Sequence, residues 1–226
     1  MPKLTDFSAF IFDMDGLVLD TEPTYRAAWQ AALDDMSLRG DENLFGRFSG
    51  QHFAAIKAIL FAEFGDNFDV HQFSLISSQY WLEHVATHSI PIKPGVKDVL
   101  DFADFHNIPV GLATNSSERN ARYCLGVANL LERFPIIVTG NDVRHPKPEP
   151  DIFYVAAERL NVDIKESIVF EDSCFGIEAA KKSGAYAVYV PSSTPPLSKA
   201  LERCDWMVES LSLVLQSMPS DAMDRI

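Results

Sequence analysis

The stretch Phe10-Ile11-Phe12-Asp13-Met14-Asp15-Gly16 decides the fold. The apolar run from Ala9 to Phe12 has the continuity of a strand buried on both faces, and it ends in two carboxylates spaced i, i+2 before a glycine turn. Ionised carboxylates are costly to take out of water unless something compensates them. Two of them at the end of a buried strand therefore call for a cation, a basic side chain or dense hydrogen bonding nearby.

Working outward, Asp20-Thr21-Glu22-Pro23 reads as a helix start with a capping side chain, an acidic first turn and a tolerated proline, and the helix runs to about Asp35. Residues 40–93 carry no strand pattern. Phe53 to Phe64 and Phe73 to Thr87 place apolar residues at helical spacing, so this segment reads as a helical insertion. Its core is expected from Phe45, Phe48, Phe53, Phe61, Phe64, Phe68 and Phe73, with the alternative that one or two of them line a ligand cleft. Ile90-Pro91-Ile92-Lys93-Pro94-Gly95 connects back to the main domain. The expected division is a core of residues 1–20 and 94–226 with an all-helical domain at 21–93.

After the connector, short apolar runs alternate with amphipathic helices. Strands are expected at Pro109 to Ala113, Ile136 to Thr139, Ser167 to Glu171, Ala185 to Val190 and, more weakly patterned, Asp205 to Val208. Helices are expected near 95–106, 117–132, 151–160 and 175–183, the last closed by Gly184. This alternation predicts an α/β fold, a Rossmann-like parallel sheet with helices on both faces, which binds ligands at the C-terminal ends of its strands. Residues 217–226 are expected to fray.

Chemistry-bearing residues fall at those ends. The first strand ends in Asp13 and Asp15, the second in Thr114-Asn115-Ser116 and the fourth in Glu171-Asp172. Between the third and fourth, three prolines in His145-Pro146-Lys147-Pro148-Glu149-Pro150 stiffen the backbone around one lysine. Asp13, Asp15 and Asp172 offer the hard oxygens that Mg²⁺ takes alongside water and a phosphate oxygen. An ionised carboxylate can attack phosphorus without a separate base, while a second serves as acid and then base. Thr114 and backbone N–H groups at a helix start suit the phosphoryl oxygens. The set points to phosphoryl transfer.

Composition narrows the partners. The formal net charge is -13, and no basic cluster exceeds Lys181-Lys182, which disfavours nucleic acid and anionic membrane surfaces. A phosphorylated small molecule is compatible, because a metal and one lysine reverse the potential locally. Cys124, Cys174 and Cys204 form no C-x-x-C pair and read as reduced thiols. No segment has the pattern of a signal peptide or the ~20 apolar residues of a bilayer span, so a cytoplasmic protein is expected, as a monomer.

In the order Asp13-Met14-Asp15-Gly16, Thr114, Lys147 in Lys-Pro-Glu-Pro-Asp, and Glu171-Asp172, the chain resembles the haloacid dehalogenase superfamily over nearly its whole length. Gly16-Leu17-Val18-Leu19-Asp20-Thr21-Glu22 is similar to the branch holding beta-phosphoglucomutase and the sugar- or nucleoside-monophosphate phosphatases, and the insertion resembles that superfamily's small cap domain. The resemblance implies that Asp13 is the nucleophile, that Asp15 is the acid/base and a metal ligand through its carbonyl, and that Asp172 is a metal ligand. Glu171 is implied as a further ligand or as a group one layer out. Thr114 and Lys147 are implied as phosphate holders, with Asn115 and Ser116 beside them.

The mutase pattern has a histidine where Tyr25 stands, a lysine and an arginine around a cap glycine where Ser49-Gly50 and Phe53 stand, and a basic residue where Ser117 stands. Lys57 and Arg47 are candidate substitutes. Dehalogenation is disfavoured by Asp15. The expectation is thus a Mg²⁺-dependent phosphatase of a small phosphomonoester working through an aspartyl phosphate. The alternatives are a beta-phosphoglucomutase-type mutase and a non-catalytic phosphometabolite-binding protein. Candidate substrate contacts are Glu22, Tyr25, Arg47, Gln51 and His52 in the insertion, and Ser116, Glu118 and Arg119 in the core.

Overall fold

The structure is a computed structural model and describes residues 2–41, 43–48 and 53–217, with only the backbone of residues 53 and 54. In chain order its principal elements are β1 (Ala9–Phe12), α1 (Glu22–Asp35), α2 (Phe53–Phe64), α3 (Val70–His88), α4 (Val96–Phe105), β2 (Val110–Thr114), α5 (Glu118–Val127), β3 (Ile136–Thr139), α6 (Asp151–Leu160), β4 (Ser167–Glu171), α7 (Cys174–Ser183), β5 (Tyr186–Tyr189), α8 (Ser198–Leu201), β6 (Trp206–Met207) and α9 (Val214–Ser217). They divide into two compact units, Met1–Leu19 with Pro91–Ile226, and Asp20–Ile90.

In the first unit the described strands form one parallel sheet in the order β3-β2-β1-β4-β5-β6. Every residue of β1, β2 and β4 is buried, as a sheet covered on both faces requires. Alternation along β1 sends Ile11 into a cluster with Ala113, Val169, Phe153 of α6 and Ile177 of α7. Phe10 and Phe12 point to the opposite face, where Phe10 stacks on Phe102 of α4 at 6.4 Å and Phe12 on Phe170 at 4.9 Å between ring centroids.

Several boundaries differ from those expected. Strand β2 starts at Val110 and takes in Thr114, and β5 and β6 are shorter than the apolar runs that announced them. The helix expected over 117–132 stops at Val127, because Asn129 turns into the left-handed region at φ 56, and a 3₁₀ turn follows at Leu131–Arg133. Thr21 occupies the N-cap of α1 without a side-chain cap hydrogen bond. The helical unit ends at Ile90 rather than 93, since Ile92 pairs with Leu19 and Lys93 N–H donates to Val18 O at 3.0 Å, which ties residues 91–93 to the core.

The second unit is built on α1 and α3, with Leu33, Leu44, Phe48, Ile56, Leu60, Phe68 and Phe73 buried at its centre. Of the expected phenylalanines, Phe48, Phe68 and Phe73 are buried, while Phe45, Phe61 and Phe64 pack half-buried against the same cluster; the side chain of Phe53 lies outside the described residues. Trp81 Nε1 donates to Thr24 Oγ1 at 3.0 Å, satisfying a buried indole. Among the described residues Cys124, Cys174 and Cys204 are free thiols, and no helix is long and apolar enough to cross a membrane.

Phe170 sits between the rings of Phe10 and Phe12 with no exposure. Phe170→Ala is expected to lower unfolding free energy by about 3–5 kcal/mol, read from the denaturant midpoint at unchanged slope.

Candidate active site

The chain winds outward from β1 through β2 to β3 on one side and from β4 to β6 on the other, so the sheet order reverses beside β1. Folds of this class bind ligands at such a point, beyond the C-terminal ends of the strands. Asp13, Asp15, Thr114, Glu171 and Asp172 all sit at these strand ends. Lys147 reaches them from the loop between β3 and α6. Its Nζ donates to Asp13 Oδ1 at 2.6 Å, Glu171 Oε1 at 2.6 Å and Ala113 O at 2.7 Å, using all three ammonium protons. Asn115 holds that loop: its Oδ1 accepts from Lys147 N–H at 3.0 Å and its Nδ2 donates to Lys147 O at 3.2 Å.

Glu171 is engaged at both oxygens. Oε1 takes Lys147, and Oε2 accepts from Asp172 N–H at 3.1 Å, Ser173 N–H at 3.2 Å and Ser173 Oγ at 3.0 Å. Ser173 in turn caps α7, accepting from Gly176 N–H at 3.0 Å. Gly176 is required by this packing, because a Cβ there would overlap the Glu171 carboxylate. Gly16 is required twice over: its φ is +88°, and a Cβ would overlap Asp172 Oδ2.

Oxygens of Asp13, Glu171 and Asp172 lie within 4.8 Å of one another, all buried. Burial raises the Asp13 carboxyl well above its ordinary value; Lys147 opposes this, and Glu171, Asp172 and Asp15 add to it. Burial and then Glu171 push Asp172 up to about 7, against a hydrogen bond from Ser192. Burial weakens the Lys147 ammonium, but Asp13 and Glu171 outweigh it and raise its pKa. One ammonium among these carboxylates leaves a surplus of negative charge. Hard, buried carboxylate oxygens with that surplus fit a divalent cation. Asp13 and Asp172 are the better placed donors, since both Glu171 oxygens are already occupied.

Half-buried Asp15 accepts from Ser116 Oγ at 2.8 Å. Thr114 Oγ1 accepts from Ser116 N–H at 3.1 Å, which leaves its own proton to donate. Glu118 pairs with Arg122 at 3.0 Å and Arg119 is exposed. Glu22, Tyr25 and Arg47 belong to the helical unit, where Tyr25 stacks between Trp29 and Trp81 and Arg47 binds Asp41 at 2.9 Å and Glu63 at 2.6 Å. Gln51 and His52 lie outside the described residues, as do Ser49-Gly50 of the mutase comparison and the end expected to fray beyond Ser217. Ser173, Gly176 and Ser192 were not foreseen. The Ser173 cap was readable from its place before a helix; the other two depend on neighbours distant in the chain.

A family model described as haloacid dehalogenase-like hydrolase matches residues 10–190. The chain is 33% identical to a phosphorylated carbohydrates phosphatase of Thermotoga maritima, over 80% of this chain and 83% of that one. It is 31% identical to the fructose-1-phosphate phosphatase YqaB of Escherichia coli, over 81% and 96%. A Thermotoga maritima crystal structure provisionally named a beta-phosphoglucomutase superposes with a TM-score of 0.80 at 29% identity, covering 92% of this chain and 97% of that one.

Two expectations follow from the geometry. Gly176→Ala displaces Glu171 and strips Lys147 of a partner, so stability should fall by about 3 kcal/mol or more on chemical denaturation. Asp172 rises from 3.8 to about 7, so the folded chain binds its proton more tightly than the unfolded chain does. Metal-free protein should therefore lose stability as pH rises through that window, with the loss complete above about pH 7. Adding Mg²⁺ should raise Tm more at about pH 7.5 than at about pH 5, which thermal melts in chelator and in Mg²⁺ would test.

Proposed function

The chain belongs to the haloacid dehalogenase-like hydrolase family, and from that premise we propose that it is a Mg²⁺-dependent phosphatase of small phosphomonoesters, acting through an aspartyl phosphate on Asp13. The observation that carries this reading is the clamp of Lys147 on Asp13 and Glu171 beside Asp172, which gathers a nucleophile, a cation and metal-competent oxygens in one buried place. Phosphorylated carbohydrates are the favoured substrates, since the two named relatives are phosphatases of that class.

In the proposed sequence, an Asp13 carboxylate oxygen attacks phosphorus while the bond from phosphorus to the ester oxygen breaks. Asp15 passes a proton to the departing alkoxide. Asp15 then takes a proton from water as that water attacks the aspartyl phosphate, which frees inorganic phosphate and restores Asp13. Lys147 offsets charge on the transferring group, and Thr114 donates its hydroxyl proton to a phosphoryl oxygen. Mg²⁺, held by Asp13, Asp172 and the Asp15 carbonyl, would supply further charge neutralisation when bound. Glu171 acts through Lys147 and Ser173 rather than as a ligand.

A mutase needs a second phosphate site in the helical unit. Here Arg47 is paired with both Asp41 and Glu63, while Lys57 is exposed and lies over the Phe61 ring at 5.5 Å, so Arg47 is not a spare cation. That favours hydrolysis over transfer. On this reading the partner is a phosphorylated metabolite, not nucleic acid or membrane, and the protein acts as a cytoplasmic monomer.

Phosphate release should be measured with Mg²⁺ across hexose, pentose, polyol and nucleoside monophosphates. Turnover of a subset, lost on chelation and lowered about 10³-fold or more in folded Asp13→Asn, is the expected result. Full activity in that variant removes Asp13 from the nucleophile role, while tight binding of a phosphate ester with no release points to a binding protein.

A further inference from the structure

Helix α3 ends in His84-Val85-Ala86-Thr87-His88, which places two histidines one turn apart in the helical unit. Residues at i and i+4 are neighbours on one face of a helix. The two rings stack, with centroids 4.6 Å apart and planes inclined by 27°. His88 is exposed and His84 half-buried, so the pair is reachable from solvent. Burial of Phe73, Ser77, Trp81 and Val85 anchors the helix, and Ser89 N–H donates to Val85 O at 2.9 Å, closing the turn that carries His88. The spacing is thus held to the last helical residue.

His88 Nδ1 lies 3.1 Å from the His84 carbonyl oxygen. A carbonyl only accepts, so Nδ1 carries the proton and Nε2 of the neutral ring keeps its lone pair. Metal-binding histidines are commonly held in this way, one nitrogen bonded to a carbonyl and the other left to ligate. Electrostatics agree. The helix Val70–His88 contains one acidic residue, Glu83, and no lysine or arginine, so it carries no fixed positive charge to oppose a cation. Its last carbonyls form the negative end of the helix dipole, which favours a cation in the final turn.

We propose that His84 and His88 form a second metal site, chelating one divalent transition-metal ion through one ring nitrogen each. Imidazole suits zinc, nickel and copper, whereas magnesium takes oxygen ligands, so this site and the Asp13–Asp172 cluster select different ions. Two histidines at this spacing on one helix face bind zinc in a metalloprotease motif whose catalytic glutamate follows the first histidine. Val85 stands at that position here, so the chemistry assigned is binding, not hydrolysis. Two protein ligands leave the other coordination positions to water, which makes the ion exchangeable rather than part of a closed structural centre. The inference is independent of the phosphatase reading.

Untagged full-length protein should be titrated calorimetrically with Ni²⁺ in excess Mg²⁺, which keeps the carboxylate oxygens engaged. Wild type should take up one Ni²⁺ that His84→Ala and His88→Ala each bind about tenfold or more weakly, because each turns a chelate into a single ligand. His88→Ala combined with Ala86→His keeps the number of histidines but turns the second ring about 160° away around the helix, and should bind as weakly as His88→Ala alone. No uptake by wild type, or wild-type affinity in any of these variants, overturns the inference. A measurement on wild type alone guards against variants that fail to fold. Sub-stoichiometric Ni²⁺, being paramagnetic, should broaden the ring proton NMR signals of His84 and His88 before those of the other histidines; a different order refutes the site.

Discussion

A single buried ammonium organises the site. Lys147 Nζ binds the end of β1 through Asp13, the end of β2 through the Ala113 carbonyl and the end of β4 through Glu171, so one point charge ties together three neighbouring strands of the sheet. Removing one partner from such a group leaves an uncompensated buried charge, at a cost of about 3–5 kcal/mol. That penalty makes the arrangement exacting: the loop must deliver the ammonium to one place, and Asn115 and the flanking prolines serve that delivery. Lys147 Nζ also lies over the Phe153 ring, 5.1 Å from its centroid, so the helix following the loop takes part in holding it.

The ammonium does not balance the charges around it. Asp13 and Asp172 are both raised because burial and neighbouring carboxylates exceed what one lysine offsets. A site of this kind is stabilised by a divalent cation, and the close packing of Gly16 on Asp172 and of Gly176 on Glu171 keeps the carboxylates from swinging apart to relieve their repulsion. The same charge surplus would repel a phosphate ester unless a metal were present, which links affinity for substrate to occupancy by the cation.

The helical unit spends its polar and aromatic residues differently. Tyr25, Trp29 and Trp81 form a stacked series, and Arg47 is absorbed by Asp41 and Glu63. Tyr25, where the mutase pattern has a histidine, here serves packing, and the candidate substitute Arg47 serves internal ion pairs.

Local sequence determined the elements. Periodicity located β1, the helices of residues 53–88 and the strand–helix alternation, because those signals lie within a few consecutive residues. The placement of Asp13, Asp15, Thr114, Lys147, Glu171 and Asp172 was legible too, since each ends a strand or stands in a proline-stiffened loop. What only the tertiary structure decided was which groups meet. That Glu171 binds Lys147, that Asn115 braces the Lys147 loop, and why residues 176 and 16 must be glycine all depend on groups brought close by the parallel sheet from tens of residues away. The early end of α5 at Val127 likewise reflects a backbone turn at Asn129 that apolar spacing does not encode. Short-range patterns are written by local sterics and burial, whereas hydrogen-bond partners at a strand's end are chosen by register and crossover, which no local stretch contains.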